Sequence, residues 1–399
     1  MKKTLVALAA VSAVSAFAQT AVTLTGRMDA GYQSINFFGQ SVSLFQQNGA
    51  STSAIKFTAT EELGGGVKAG FMYEIDPLLI SGNGNTTLQV APAGATSLLV
   101  AGGAATTAQQ TNNATQQSGL TGKGEQYVLI SDATLGSVKM GTPNTATLDA
   151  FGAGSPLGTA VGSGYGSTGI IFSDLTRTEA AAKYESPVFN GFQVSYLNSP
   201  KNDTPYGTVS STSGQTVYIR RAAISEIGLH YVNGPLTVRG AIFSSGVGPN
   251  ASTTATKNNV TTKTTTIGAN YDLGFMKVHG TLQNALADNS VLADNTDTKA
   301  NSIGLTYPMG ANRLLAKYST LKRDAGTANA VGQKSTMLGL GLERDLSKNT
   351  YVYGRYETAK FNTVTADGVI VNNAPVGAST AMLTSPTRRT LAVGVSMGF

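Results

Sequence analysis

Apolar and polar side chains alternate with a period of two over many short stretches of this chain. Leu391, Val393, Val395, Met397 and Phe399 alternate with Thr390, Ala392, Gly394, Ser396 and Gly398. Val67, Ala69, Phe71, Tyr73 and Ile75 alternate with Lys68, Gly70, Met72, Glu74 and Asp76. The same period runs through Met276 to Gln283 and from Arg177 to Glu185. Successive side chains of a strand point to opposite faces, so each stretch predicts a strand with one apolar and one polar face. Stretches 126–132 and 217–224 follow the alternation poorly, and their faces stay unassigned.

A sandwich also alternates, so the connections have to decide. Short turns rich in Gly and Pro recur at Glu62–Gly66, Thr134–Gly136, Pro187–Gly191, Asn233–Pro235, Asp272–Gly274, Pro308–Gly310 and Asp345–Asn349. Long polar stretches lie between them, at 34–52, 77–123, 143–176, 199–216, 245–262, 284–299, 321–334 and 362–386. Short and long connections take strict turns, which predicts an all-β chain of sixteen strands. An even strand number, short turns on one side and long loops on the other define a transmembrane antiparallel β-barrel of the bacterial outer membrane, with periplasmic turns and extracellular loops. Closure leaves no strand edge facing lipid.

Charge sharpens the assignment of faces. Lys, Arg, Asp and Glu fall mostly on one parity and apolar residues on the other. A Lys or Arg on the lipid face near the midplane costs roughly 2–4 kcal/mol. The charged parity therefore faces water inside the barrel. Phe189, Phe192, Tyr231, Tyr271, Phe275, Tyr307 and Phe399 stand beside the short turns, where rings form an interfacial girdle.

Composition then removes other classes. Charged residues are 13% of the chain, about half the usual share, and there is no cysteine. The formal net charge of +6 is too small and scattered for a nucleic-acid partner. Lys2 and Lys3, the apolar run Thr4–Val14 and Ala16-Phe17-Ala18 predict a signal peptide over 1–18, so the barrel is expected over 19–399. The two histidines, His230 and His279, have no nucleophile or acid motif beside them, and no metal or phosphate-binding pattern occurs. No enzyme activity and no cofactor are expected, and His279 reads as a solvated lumen residue.

Several motifs, taken in order, resemble the Gram-negative general porins, specifically the β-proteobacterial branch. They are Gln19–Gly31 (QTAVTLTGRMDAG), Glu61–Glu74 (EELGGGVKAGFMYE), Leu135–Gly141 (LGSVKMG), Lys183–Phe192 (KYESPVFNGF), Asn233–Leu236, Leu346–Lys348 and the C-terminal Phe399. The resemblance implies a sixteen-stranded barrel, a homotrimer in the outer membrane, and a loop at 143–176 folded into the lumen as constriction. It implies passage of small hydrophilic solutes and ions by passive diffusion, contact with outer-membrane lipid and lipopolysaccharide, and insertion by the barrel-assembly machinery with Phe399 as part of the signal. Loop 77–123, which carries no charge from Pro77 to Gly122, would lean on a neighbouring subunit.

The chain departs from the family where ion preference is set. Ser53-Ala54-Ile55-Lys56 lacks the arginine that anion-preferring members carry in strand two, and Gly141-Thr142-Pro143 stands where the family favours Gly-Arg-Gln. A slight anion preference thus stays open, beside a substrate-selective anion channel and a barrel whose loops serve adhesion. The expected pore-lining charges are Arg27, Lys56, Lys68, Glu74, Asp149, Arg177, Lys183, Arg239, Lys277, Arg313, Lys317, Arg355 and Arg388.

Overall fold

The computed structural model describes residues 21–37, 40–77, 88–89, 99–100, 124–165, 171–173, 175–200, 223–247, 260–289, 296–324, 332–361, 363–364, 383–384 and 387–399. The expected signal peptide, the body of loop 77–123, Asp174 and stretch 217–222 lie outside them.

One sheet contains β1 (Ala21–Phe37), β2 (Gln40–Gln47), β3 (Ala54–Gly64), β4 (Val67–Ile75), β5 (Gln126–Asp132), β6 (Gly136–Thr142), β7 (Ala181–Glu185), β8 (Phe192–Ser199) and β9 (Ala223–Asn233). It continues through β10 (Leu236–Val247), β11 (Val260–Asp272), β12 (Lys277–Asn289), β13 (Thr296–Met309), β14 (Asn312–Arg323), β15 (Gln333–Asp345), β16 (Thr350–Phe361) and β17 (Thr387–Gly398). Neighbours in sequence pair antiparallel, and β17 returns to pair with β1 along Arg27–Phe37, which closes the barrel. The lower half of β1 pairs with β3 and its upper half with β2, so β2 and β3 are two segments of one column. Seventeen segments thus make the sixteen-stranded barrel.

The alternation sorts as expected. Val194, Ile227, Leu229, Ile267, Leu282, Ile303, Leu338, Leu342 and Val393 point outward and are exposed. In water that surface would be unfavourable at about 25 cal/mol per Å²; against acyl chains it carries no such penalty. The short turns use the residues their geometry demands. Gly64, Gly65 and Gly66 have φ of 90°, 62° and 87°, a run that side-chain-bearing residues rarely adopt. The Phe192 and Tyr231 rings lie 4.2 Å apart, tilted by 30°, beside one of these turns.

Several boundaries differ from the sequence expectation, and stretch 284–299 is mostly strand, with β12 running to Asn289 and β13 starting at Thr296. Stretch 34–52 is mostly strand, because Ala30–Phe37 pairs with Gln40–Gln47 and extends the wall upward. Its Ser, Gln and Asn residues hide the periodicity, since a ribbon above the lipid needs no apolar face; Tyr32 and Phe45 still meet edge-on at 5.8 Å. β7 starts only at Ala181, because Ala180 has φ 48° and breaks the extended backbone.

The buried core lies inside the barrel, under the long connection between β6 and β7. That connection contains a helix, α1 (Ala146–Ala153), whose N-cap Thr145 accepts a hydrogen bond from the Leu148 N–H. Phe151 stacks on Tyr165 at 4.2 Å, and both pack with Phe172, Leu321, Met337 and Phe361.

Candidate functional site

The inner wall is shaped to receive residues 146–163. A methyl group on Gly228 would lie 2.4 Å from the Ala146 Cβ, one on Gly268 would lie 1.6 Å from the Ala150 carbonyl oxygen, and one on Gly339 would lie 2.1 Å from the Gly162 carbonyl oxygen. Pro156 sits 2.8 Å from the corresponding position on Gly304. Four inward glycines on β9, β11, β13 and β15 therefore form a trough that lets the loop backbone approach the sheet.

Charges on the wall hold the loop in that trough. Glu226 on β9 accepts hydrogen bonds from Ala146 N–H (2.6 Å), Thr147 N–H (2.9 Å) and the Thr147 hydroxyl (2.7 Å), at the N-terminus of α1. An anion there satisfies orphan amides and complements the helix dipole. Glu357 accepts from Gly162 N–H at 2.9 Å. Lys317 donates to Ser155 Oγ (3.1 Å) and to the Ser163 carbonyl (2.9 Å), with its ammonium 4.1 Å from the Phe151 ring centre. The wall segment 48–53 completes the support. Asp29 accepts from Gly49 N–H and from the Tyr353 hydroxyl, and the Gly49 carbonyl accepts from Val161 N–H.

The predicted charges fall into distinct groups. Arg27, Lys56, Glu74 and Arg177 come together on one cavity of about 730 Å³ between the loop and the wall of β1, β3 and β4. Asp76, Asn144, Thr159 and Tyr165 also line it. Glu74 Oε2 lies 3.3 Å from Lys56 Nζ and Glu74 Oε1 lies 3.8 Å from Arg177 Nη2. The Glu74 side chain is 6% exposed, against 39% for Lys56 and 22% for Arg177, so the carboxylate stands behind the two cations. Arg27 donates to Ser396 Oγ at 3.0 Å and lies over the Tyr351 ring. Asp149 on α1 faces Arg239 at 3.5 Å and Lys183 at 3.9 Å.

Other expected wall charges are placed differently. Lys183, Lys317, Arg355 and Arg388 are buried, not turned to open water. Lys183 donates to the Asn144 carbonyl, Arg355 pairs with Glu343 at 2.5 Å and Arg388 with Glu357 at 3.4 Å. They lie on the inward parity, where the loop and the neighbouring acids cover them. Arg313 lies between Glu343 and Asp345 at 2.9 and 2.8 Å. Lys68 and Lys277 sit at short turns, paired with Glu62 and Asp272. His279 is also not solvated: its ring nitrogens lie 3.2 Å from the Ala153 carbonyl and 3.1 Å from Thr306 Oγ1.

Sequence reasoning missed α1, Glu226, Glu357, Asp29 and the glycine trough. A signal existed for some of them. Thr145 followed by an alanine-rich run with Asp149 in its first turn is a helix start. Glycine and glutamate on the inward parity of mid-strand positions mark a close backbone approach and its anchor.

A closed barrel with an apolar exterior, a lumen that residues 144–165 enter and a charged gap beside them is an outer-membrane channel. Residues 4–363 match the Gram-negative porin family, and the chain belongs to that family. It is similar to outer membrane porin protein 32 of Delftia acidovorans, with 26% identity over 373 residues, 89% of this chain and 88% of that protein. Its fold is similar to the anion-selective porin from Comamonas acidovorans, with a TM-score of 0.66 and 20% identity over 96% of this chain and 100% of that one. It is also similar to the trimer form of OmpT from Vibrio cholerae, at TM-score 0.58 and 15% identity, covering 95% and 99%. The relatives fit the β-proteobacterial general porins that the motifs resemble, and the family is one of channels. The protein is an outer-membrane porin, a channel for passive diffusion.

Proposed function

We propose that this porin is a homotrimer whose loop 143–176 sets the constriction, and that the constriction weakly prefers anions among small hydrophilic solutes. One observation carries the ion preference. Three cations and two carboxylates line the gap beside the loop, and the carboxylate that pairs with Lys56 and Arg177 is withdrawn behind them. A permeating ion meets ammonium and guanidinium groups first, in a channel whose low-dielectric walls focus their field. The arginine absent from strand two keeps the preference weak, since Lys56 alone occupies that part of the wall. The fold neighbour from Comamonas acidovorans is itself described as anion-selective, and the Vibrio cholerae neighbour is described in a trimer form, which supports both readings. In the same membrane the barrel's partners are lipid and lipopolysaccharide, with the assembly machinery reading Phe399 during insertion.

Planar-bilayer recording in asymmetric potassium chloride tests the proposal. A linear current, closure in three equal steps and a reversal potential on the chloride side are expected, with a chloride-to-potassium permeability ratio of about 2 to 5 for one net charge. A reversal potential on the potassium side overturns the anion preference, and single-step closure overturns the trimer.

A further inference from the structure

We propose that the wall segment Asn48–Ser53 is the second half of the constriction, a neutral lip that faces loop 143–176 across the gap and is held in the lumen by Asp29 and Tyr353. The inference rests on the reading of that loop as the first half, and the labelling experiment below separates the two.

The strand registers require the lip. Arg27 on β1 pairs with Ala54 on β3, and Ala30 on β1 pairs with Gln47 on β2. Two residues of β1, Met28 and Asp29, therefore stand opposite the six residues Asn48 to Ser53. Six against two leaves four that cannot stay in the plane of the sheet. Met28 lies seven residues along β1 from Ala21. At about 3.4 Å per residue and a tilt of about 40°, that is roughly 18 Å up a barrel whose apolar band is about 25 Å tall. On the outer side the extra amides and carbonyls would face lipid without partners, at a cost of several kcal/mol for each group. The excess folds inward instead, and Asn48, with φ 66°, makes the turn.

Inside the lumen the polar groups of the lip are met. Gly49 N–H donates to Asp29 Oδ1 at 2.8 Å, and Ala50 N–H to Asp29 Oδ2 at 3.4 Å. Ser53 N–H donates to Asn48 Oδ1 at 2.7 Å, and Asp29 N–H to Ser53 Oγ at 3.0 Å. The Tyr353 hydroxyl donates to Asp29 Oδ1 at 2.9 Å. A methyl group on Gly31, Gly49 or Gly394 would come 2.9, 2.5 or 2.4 Å from that hydroxyl oxygen, so three glycines make room for the ring under the lip. Asp29 is fully buried. One buried carboxylate and one ring thus set how far the lip stands off the wall. Its residues reach the gap: Asn48, Ala50, Ser51 and Thr52 line the cavity of about 730 Å³ together with Gly158, Thr159 and Tyr165 of the loop. Thr52 is exposed there. The lip bears no charge, so it narrows the gap and leaves the field to Arg27, Lys56 and Arg177.

The chain contains no cysteine, so single cysteines can be labelled cleanly during planar-bilayer recording. Three full-length variants are treated with trimethylammonium-ethyl methanethiosulfonate, and labelling is checked by mass. They are Thr52→Cys on the lip, Thr159→Cys on the loop, and Thr60→Cys, which shares the inward parity of β3 but stands near the Glu62–Gly66 turn. Current is expected to fall by about twofold or more for the lip and loop variants and to hold for Thr60→Cys. Failure of Thr52→Cys to label, or unchanged current after it labels, overturns the lip; a fall for Thr159→Cys in the same series leaves the loop reading intact. Unchanged current in both labelled variants overturns both. An equal fall for Thr60→Cys also overturns the lip, since a label anywhere in the lumen would then block. Gly49→Ala tests the seating without a label: its methyl pushes the lip off Tyr353 into the lumen, so conductance is expected to fall, and unchanged conductance overturns the role of Tyr353.

Discussion

Replacing Glu74 by Gln isolates the electrostatics of the gap from its shape. Gln keeps the volume and can still accept the Glu125 N–H that Glu74 Oε2 accepts at 3.2 Å. It removes the one charge that faces Lys56 at 3.3 Å and Arg177 at 3.8 Å. Lys56 and Arg177 reach the cavity water, so neither is left as an unsolvated charge. The lining changes by one elementary charge. For an ion passing about 6 Å away in water, that charge is worth about 0.7 kcal/mol, and screening at a Debye length of about 10 Å reduces it to about 0.4 kcal/mol. The sign is opposite for chloride and potassium, so the two contributions add to about 0.8 kcal/mol, or roughly a fourfold rise in the permeability ratio toward chloride. Reversal potential in a potassium chloride gradient reads this directly, with conductance in symmetric salt as the control for pore size. An unchanged ratio, or a shift toward potassium, refutes the assignment of this gap as the selective part of the channel.

Lys56→Glu is expected to move the reversal potential toward cations, whereas Lys68→Glu leaves it unchanged. Lys68 lies six residues down β4 from Glu74, about 20 Å along the strand and beyond the screening length. Glu226→Ala removes the acceptor of three hydrogen bonds at the start of α1, each worth about 1.5–3 kcal/mol with a charged partner. Noisier current and faster proteolysis within 143–176 are expected at unchanged heat stability of the barrel; a quiet channel refutes the anchoring role. Gly268→Ala places a methyl 1.6 Å from the Ala150 carbonyl and displaces α1, so single-channel conductance changes, while Gly354→Ala, with open space around it, leaves conductance alone. Equal conductance in both variants counts against the trough.

The legible parts of the fold were those governed by lipid. Strand β17 could be assigned from Leu391, Val393, Val395 and Met397 alone, because each outward position must be apolar to avoid a cost in the bilayer. The ribbon of β1 and β2 was not legible, because above the lipid that requirement ends and polar residues serve on both faces. Within the site, parity placed Lys56, Glu74 and Lys317 inside the barrel. It could not separate Lys56, which reaches open water, from Lys317, which is buried under the loop. Both are inward lysines with the same local pattern. Which one is covered depends on where residues 155–163 come to rest, and those are far away along the chain.

The sequence by itself determined the barrel, its strand number and the side of the turns. Those properties follow from backbone hydrogen bonding and side-chain hydration, which act residue by residue and repeat around the sheet. The tertiary structure alone decided which charges meet. Glu226 reaches the start of α1 across 80 residues of chain, and Lys317 holds Ser155 across 162. The charged gap beside the loop is what remains after those long-range contacts have seated the loop, so its charge and width are properties of the packed lumen.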